Sequence, residues 1–121
     1  MSWELILKVA DIQASCEYYE KIGFVKRWAG KRGEHRVVCL MRHSDLPICL
    51  SETWGTEHAV VRARARNVDE LYQGFIEANI SVDAPPVDQP SGHREMQVID
   101  PDGHILVAWT PAPDPPTSPA N

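Results

Sequence analysis

The stretch Asp100-Pro101-Asp102-Gly103 decides how the C-terminal part of this chain folds. It separates residues 94–99 from residues 104–109, two runs that are typical of β-strands. Proline presets the backbone angle of the first central turn position, and glycine accepts the left-handed position that closes the turn. The stretch therefore predicts a β-hairpin near the C-terminus.

The residues before this hairpin predict a β-α-β-β-β unit in the first half of the chain. Alternating apolar residues predict a strand over residues 3–9. Asp11 stands where a helix N-cap is expected, and Gly23 is the expected helix stop. Three further strands, over 24–28, 36–41 and 47–51, are predicted between turns over 29–34 and 42–46.

The second half repeats this order of elements. A strand is predicted over residues 58–66, and Asn67 with Glu70 forms the capping box of a following helix. Asn79 is the expected left-handed end of that helix. A short strand over 80–82 and a proline-rich loop over 84–92 then lead into the hairpin. Residues 111–121, with five prolines, predict a disordered tail.

Length, charge and cysteine content narrow the class of protein. The 121 residues are enough for one domain, expected over residues 1–110 with halves of about 1–55 and 56–110. The net charge of −5 argues against a nucleic-acid partner. Cys16, Cys39 and Cys49 favour buried thiols in a reducing compartment over a disulfide framework. No signal peptide or membrane segment is visible, so we expect a cytoplasmic, soluble protein.

Two such units predict an α+β fold: two β-α-β-β-β modules that form a curved, cup-shaped mixed sheet with the helices outside. The concave face is predicted by strand parity to carry Glu4, Ile6, Lys8, Cys49, Ser51, His58, Val60, Arg62, Ile105, Val107 and Trp109. This face is apolar in the middle and polar near its ends, which suits a ligand cleft.

Three segments carry a resemblance to a known family. They are residues 7–11 leading into 18–24, residues 68–72, and residues 98–104 around the hairpin turn. In that order and spacing they resemble the glyoxalase, bleomycin-resistance and extradiol dioxygenase group, which shares the vicinal oxygen chelate fold. The resemblance covers about residues 3–110. It fixes the fold more than the reaction, because the family holds metal enzymes and metal-free binding proteins alike.

The resemblance also says where a metal would be held. Enzymes of the family bind a divalent ion with four side chains, at positions that correspond to Glu4, Cys49, Val60 and Val107. Valine cannot ligate an ion, and Glu4 with Cys49 would mix a hard oxygen with a soft sulfur. A shift of two residues on one strand would bring in His58, but Val107 would still leave the set incomplete. We therefore expect no metal site and no cofactor.

Without a metal, the resemblance is nearest to the bleomycin-resistance-like members, which do no chemistry and hold a flat cationic drug in clefts between two subunits. It implies a homodimer that sequesters a small hydrophobic or cationic molecule, such as a bleomycin-type antibiotic, with no catalytic residue. The alternatives are a metal-dependent lyase, isomerase or dioxygenase with unusual ligands, and a regulatory module whose cup binds an effector.

The candidate ligand-binding residues lie on the predicted cup or at its rim: Trp28, Val38, Cys49, Ser51, Trp54, His58, Glu95, Val107 and Trp109. The tryptophans at strand ends are either rim packing or stacking platforms for an aromatic or cationic ligand. His58 is the only histidine predicted to lie in a strand on the cup face. His35, His43, His93 and His104 are predicted in or beside polar turns, with no special role.

One further pattern leaves two interpretations open. Arg62, Arg64 and Arg66 alternate along one predicted strand and so share a face. They form either a solvated or salt-bridged edge, or a site that recognises an anionic group. Glu4 and Glu95 are their expected acidic counterparts.

Overall fold

The computed structural model describes residues 3–42 and 46–112 and contains the β-α-β-β-β unit twice. The first half comprises β1 (Leu5–Lys8), α1 (Ile12–Lys21), β2 (Val25–Arg32), β3 (His35–Met41) and β4 (Ile48–Ser51). The second half comprises β5 (Val60–Arg64), α2 (Val68–Glu77), β6 (Ala84–Asp88), β7 (His93–Ile99) and β8 (Ile105–Pro111). The predicted α+β class and the duplicated module are confirmed.

The strands form two open four-stranded sheets. The N-sheet has the order β1-β4-β3-β2, and the C-sheet has the equivalent order β5-β8-β7-β6. In each sheet the first strand pairs in parallel with the fourth, and the other pairs are antiparallel. Thr56, in the connection between the halves, adds a single bridge to Leu7 at the β1 edge.

Local signals place both helices where the sequence predicts them. The Asp11 side chain accepts a hydrogen bond from Ala14 N at 3.2 Å, and Asn67 caps α2 in the same way. Gly23 and Asn79 follow the helices with φ of 108° and 58°, in the left-handed region that ends a helix.

Three segments differ from the sequence-based prediction, and one of them, the short strand predicted over 80–82, is not a strand in the structure. Strand β2 continues to Arg32, so the turn to β3 shrinks to Gly33 and Glu34, and Gly33 takes a φ of 63°. Strand β6 occupies the segment predicted as a proline-rich loop, Ala84–Asp88. It lies at the edge of the C-sheet, where proline's missing N–H costs no ladder hydrogen bond, and its pairing shifts between Ala84 and Val87.

One hydrophobic core lies between the helices and the helix-facing sides of both sheets. Its buried members come from both halves: Leu7, Val9, Ile12, Cys16, Tyr19, Ile22, Phe24, Val38, Leu40, Ile48, Leu50, Ala59, Val68, Phe75, Ile80, Met96 and Val98. Because these residues alternate along the strands, their neighbours in sequence point to the opposite side of each sheet.

The two halves are joined by a polar cluster, here called the hub, formed by the buried Tyr19, Asp100 and His104 and the partly buried Asp102. The Tyr19 hydroxyl donates to Asp100 Oδ2 at 2.6 Å. Asp100 Oδ1 accepts from the backbone N–H groups of Asp102 and His104 at 2.8 and 2.9 Å. Burial, together with the bond to Asp100, holds the pKa of Tyr19 well above its ordinary value, so the hydroxyl remains a donor.

The other two hub residues reach back to the first half. Asp102 accepts from Ala10 N at 2.7 Å and from the Ser15 hydroxyl at 3.0 Å. His104, only 1 % exposed, accepts from Ala59 N at Nδ1 and donates from Nε2 to the Lys8 carbonyl. The hairpin turn that predicts the fold is therefore also the polar joint between the halves.

Two further predictions can be compared with the structure only over the described residues. Pro111 closes β8, whereas residues 113–121 of the predicted tail lie outside the described residues, as does His43. Neither α1 nor α2 is long and apolar enough to cross a membrane, and the described ranges contain no other candidate.

Candidate functional site

Each sheet turns one side away from the helices, and these two surfaces form the candidate site. The N-face is the side of the N-sheet that carries Glu4, Ile6, Trp28, Arg32, His35, Val37, Cys39, Cys49 and Ser51, with Trp54 at its rim. The C-face is the equivalent side of the C-sheet, with Val60, Arg62, Arg64, His93, Glu95, Gln97, Val107 and Trp109.

The floor of the N-face is a small buried cluster of its own. Val37, Cys39 and Cys49 are at most 5 % exposed and pack against Ile6. Cys39 lies directly opposite Cys49 in the antiparallel pair of β3 and β4, and the two form a disulfide. The expectation of three buried thiols is thereby corrected, because only Cys16 remains a free, buried cysteine among the described residues.

A charged bridge crosses this floor. The Arg32 guanidinium donates to both carboxylate oxygens of Glu4, at 2.9 and 3.0 Å, and lies 4.3 Å above the Trp28 ring. Hydrogen bonding from Arg32 lowers the pKa of Glu4, so this carboxylate keeps its charge. The Trp28 ring lies over Gly30, where any Cβ would come within 2.6 Å of it.

A stacked pair of rings forms the rim of the N-face. His35 and Trp54 lie parallel, with ring centroids 5.0 Å apart and planes 20° from each other. The Nδ1 atom of His35 is 2.8 Å from the Thr53 hydroxyl, which fixes the imidazole in this orientation. Trp54 is 43 % exposed, so its outer ring surface is open to a ligand.

The C-face repeats this combination of groups. Arg62 donates to Glu95 at 2.6 Å, and this hydrogen bond lowers the pKa of Glu95. His93 stacks on Trp109 with centroids 4.0 Å apart and planes 12° from each other. The Arg64 guanidinium lies 5.6 Å from the centroid of the same tryptophan ring.

The structure brings together most of the residues that the sequence proposed, though in two groups. Trp28, Cys49, Ser51 and Trp54 belong to the N-face, where Ser51 is fully buried and Cys49 is held in the disulfide. Glu95, Val107 and Trp109 belong to the C-face.

Two proposed residues lie elsewhere. Val38 is in the main core, because its side chain points to the opposite side of β3 from Cys39. His58 precedes β5 rather than lying in it; it is exposed and has a φ of 49°.

His35 and His93 are the functional candidates that the sequence analysis missed. Both were assigned to polar turns, yet each is the first residue of a strand. From that position each ring reaches a tryptophan of the same half. A signal existed, since extending β3 and β7 by one residue or so places a histidine on the same face as the predicted tryptophan.

Within one chain the two faces remain separate. Each face pairs its own charges, Arg32 with Glu4 and Arg62 with Glu95. No ion pair among residues 3–42 and 46–112 connects the N-face with the C-face. The halves are joined instead by hydrogen bonds of the hub and by backbone hydrogen bonds between Thr56 and β1.

The four positions that the resemblance assigns to a metal do not fit a four-ligand ion here. Glu4 and Cys49 lie on the N-face, and Val60 and Val107 lie on the C-face. The two valines offer no donor atom, and Val60 is 61 % exposed. No reaction step can therefore be derived through such an ion.

Comparisons with known proteins agree with this architecture. The sequence profile of the Glyoxalase/Bleomycin resistance protein/Dioxygenase superfamily matches residues 4–108. Among curated protein sequences, none matches the chain.

Several solved structures share the fold at low sequence identity. TnmS3, an antibiotic binding protein from Streptomyces sp. CB03234, is similar with a TM-score of 0.81 and 19 % identity, over 93 % of this chain and 96 % of its own. TioX from Micromonospora sp. ML1 has a TM-score of 0.72 and 17 % identity, over 92 % and 98 %. A glyoxylase/bleomycin resistance protein/dioxygenase domain from Frankia sp. EAN1pec has a TM-score of 0.73 and 18 % identity, over 92 % and 97 %.

Proposed function

We propose, since the chain belongs to the glyoxalase/bleomycin resistance protein/dioxygenase superfamily, that it is a metal-free binding protein. In this proposal it sequesters a small hydrophobic or cationic molecule, such as a bleomycin-type antibiotic, and acts by burial and stacking rather than by bond making. One observation carries the proposal: each face presents a stacked histidine–tryptophan pair beside an arginine–carboxylate pair.

The ring pairs suit a flat ligand. Stacked or cation–π contacts with a tryptophan contribute about 0.5 to 2 kcal/mol each beyond simple area burial. Trp54 and Trp28 are 43 % and 42 % exposed, so each has ring surface that a ligand can cover. The expected placement of the tryptophans at strand ends is corrected, because Trp28 and Trp109 lie within β2 and β8, whereas Trp54 lies just beyond the end of β4.

The charges suit a cationic group on that ligand. Glu4 and Glu95 both have a lowered pKa because an arginine donates to them, so both remain carboxylates at neutral pH. Each carboxylate oxygen has a second lone-pair site, which a ligand ammonium can use alongside the arginine. The net charge of −5 adds a weak, salt-sensitive attraction for a cation.

A homodimer would turn the two separate faces into complete clefts. Because the N-face and the C-face of one chain do not pair with each other, a two-fold axis that sets the N-face of one subunit against the C-face of its partner would enclose a ligand twice. The exposed apolar side chains at these surfaces, Val60 and Trp28 among them, favour such a contact. Light scattering of a micromolar solution should give twice the 13.6 kDa chain mass; a monomer mass contradicts the dimer.

The antibiotic-binding protein TnmS3 among the solved structures is consistent with this proposal as far as the fold goes. The alternative is that the protein is a metal-dependent lyase, isomerase or dioxygenase, as are other members of the family. Metal analysis of the protein with its disulfide intact separates the two. Near one equivalent of a catalytic divalent ion per chain, lost together with an activity on chelation, would support the enzyme.

Binding itself is tested by titrating the protein with a bleomycin-type drug and following tryptophan fluorescence. We expect quenching, and a dissociation constant raised roughly two- to thirtyfold by Trp54→Ala, since about 1.4 kcal/mol is a factor of ten. Trp3→Ala is the matched control, because Trp3 is 73 % exposed and lies outside both faces. No quenching by any flat cationic ligand, or equal effects of the two substitutions, contradicts the proposal.

A further inference from the structure

We propose that Cys39 and Cys49 in their reduced form, together with Glu4, bind a thiophilic divalent cation such as Zn²⁺ or Cd²⁺ on the N-face. The two sulfur atoms and a carboxylate oxygen of Glu4 all lie within 4.8 Å of one another. This site needs no drug; it shares Glu4 and Cys49 with the four positions that the resemblance assigns to a metal, whereas Cys39 is not one of them.

The placement of the ligands follows from strand register. Cys39 and Cys49 are directly opposite each other on neighbouring antiparallel strands, with their Cα atoms 3.9 Å apart. Two thiolates on such a pair can span one tetrahedral ion, whose bonds to sulfur are about 2.3 Å long. Glu4 stands just before β1, whose Ile6 pairs with Cys49, and so approaches the same ion from the next strand.

The structure also adds a second soft ligand to the mixed pair of donors considered in the sequence analysis. Glu4 and Cys49 alone would offer one hard and one soft donor. Cys39 adds a second sulfur, so the set becomes predominantly soft and suits zinc or cadmium rather than magnesium or manganese. All three donors belong to the first half, so Val60 and Val107 of the C-face have no part in the site.

Charge balance favours occupation by a divalent cation. Two thiolates and the Glu4 carboxylate carry three negative charges, and the Arg32 guanidinium bonded to Glu4 carries one positive charge. A divalent ion makes this sum zero. The cysteines are 5 % and 0 % exposed, and a buried pair of thiolates without a cation would be strongly disfavoured.

The site opens only when the disulfide is reduced. A dithiol reductant supplies two electrons and two protons, which break the sulfur–sulfur bond and give two thiols, while the reductant leaves as its own disulfide. The ion then displaces both thiol protons to solvent and forms two metal–sulfur bonds. Oxidation of the pair by a disulfide reverses these steps and releases the ion.

Cobalt provides a spectroscopic probe of this site. The reduced protein, freed of reductant under anaerobic conditions, is titrated with Co²⁺ and the thiolate-to-cobalt charge-transfer band is followed. We expect about one bound ion per chain and two protons released, with no band from the oxidised protein. The band should be lost in Cys49→Ser and kept in Cys16→Ser, which changes the remaining cysteine away from the site.

The contribution of Glu4 is tested with a matched pair of substitutions. Glu4→Gln should keep the sulfur band but weaken cobalt affinity by more than the roughly 10- to 100-fold that loss of an outer-shell partner costs. Glu57→Gln should change little, because Glu57 is an exposed glutamate in the connection between the halves and pairs with Lys8.

The proposal is overturned if the reduced wild type gives no thiolate band, if the oxidised protein gives an equal one, or if Glu4→Gln and Glu57→Gln behave alike. The oxidised and reduced wild type are compared without any substitution, so misfolding of a variant cannot hide the result. No drug is present, so failure here leaves the proposed ligand binding intact, and the reverse also holds.

Discussion

The N-face and the C-face carry the same groups on different floors. Each has an arginine–glutamate ion pair, an arginine close to a tryptophan ring, and a histidine stacked on a tryptophan. Beneath them the N-face has a buried disulfide, whereas the C-face has the aliphatic Val107. The comparison shows that the two halves can carry matching charged and aromatic groups although the buried residues beneath them differ in chemistry.

The largest effect that we predict is a loss of folding stability when the hub, which joins the two halves, is disrupted. Asp100→Ala should lower the free energy of unfolding by about 3 to 5 kcal/mol, because the Tyr19 hydroxyl and two backbone N–H groups would lose their acceptor. Urea unfolding followed by tryptophan fluorescence measures it. Tyr19→Phe, which removes one of these bonds, should cost clearly less.

If Asp100→Ala instead costs no more than Tyr19→Phe, the hub does not act as one unit. If the variant unfolds in two separate transitions, the halves are independent domains, and the comparison would then be between two proteins rather than between two faces of one.

Reduction of the disulfide should affect one face and spare the other. Closing a loop between Cys39 and Cys49, ten residues apart in sequence, stabilises the fold by about 3 kcal/mol through chain entropy. We expect that loss on reduction, with faster amide exchange in β3 and β4 and little change in β7 and β8. Thiol titration of the denatured chain should find one thiol before reduction and three after it. Three thiols without reductant would refute the disulfide.

A double substitution tests whether both faces hold the same ligand. Trp54→Ala and Trp109→Ala should each raise the drug dissociation constant roughly two- to thirtyfold. If the two rings contact one ligand within one cleft, the effects should couple by more than about 0.5 kcal/mol in a double-mutant cycle. Strict additivity would indicate separate sites, and an effect of only one substitution would assign binding to a single face.

Acid should slightly reduce the folding stability that the ion pair on each face contributes, and by a similar amount on both faces. The pKa values of Glu4 and Glu95 are lowered in the folded protein, so their ion pairs stabilise it above the unfolded glutamate pKa of 4.5. That stability is lost as the pH falls through the lower folded values. The arginine side chains of both pairs are partly exposed, so solvent screening keeps the contribution of each pair small. Glu4→Gln and Glu95→Gln should therefore destabilise the protein at pH 7, and this effect should disappear as the pH falls through the folded pKa values. An effect that persists in strong acid would refute the ion-pair explanation.

Local signals were enough to predict the modules. The caps Asp11 and Asn67, the stop at Gly23 and the hairpin turn at Asp100 each act within a few residues, so the sequence shows them directly. The residues on each face could also be predicted from the sequence, because the alternation of side chains along a strand depends only on where the strand lies. Strand β6 could not be predicted from the sequence, because Pro85 and Pro86 indicate a loop unless the segment is known to be an edge strand.

The features that the sequence did not predict depend on contacts between distant parts of the chain. His104 looked like an ordinary turn residue, yet its ring bonds to Lys8 and Ala59, which are far away in sequence. The disulfide required the register of β3 against β4, and a shift of one residue would have separated Cys39 from Cys49. The separation of the two faces is likewise a property of how the halves pack, which no single segment encodes.

The prolines of β6 also bear on how the protein behaves when concentrated. An edge strand with free N–H groups is a template for pairing with another chain, and such pairing leads to aggregation. Pro85 and Pro86 lack that N–H, so the open edge of the C-sheet is a poor template over this stretch. The strand edge beside the aromatic C-face is thereby protected from polymerising with other chains.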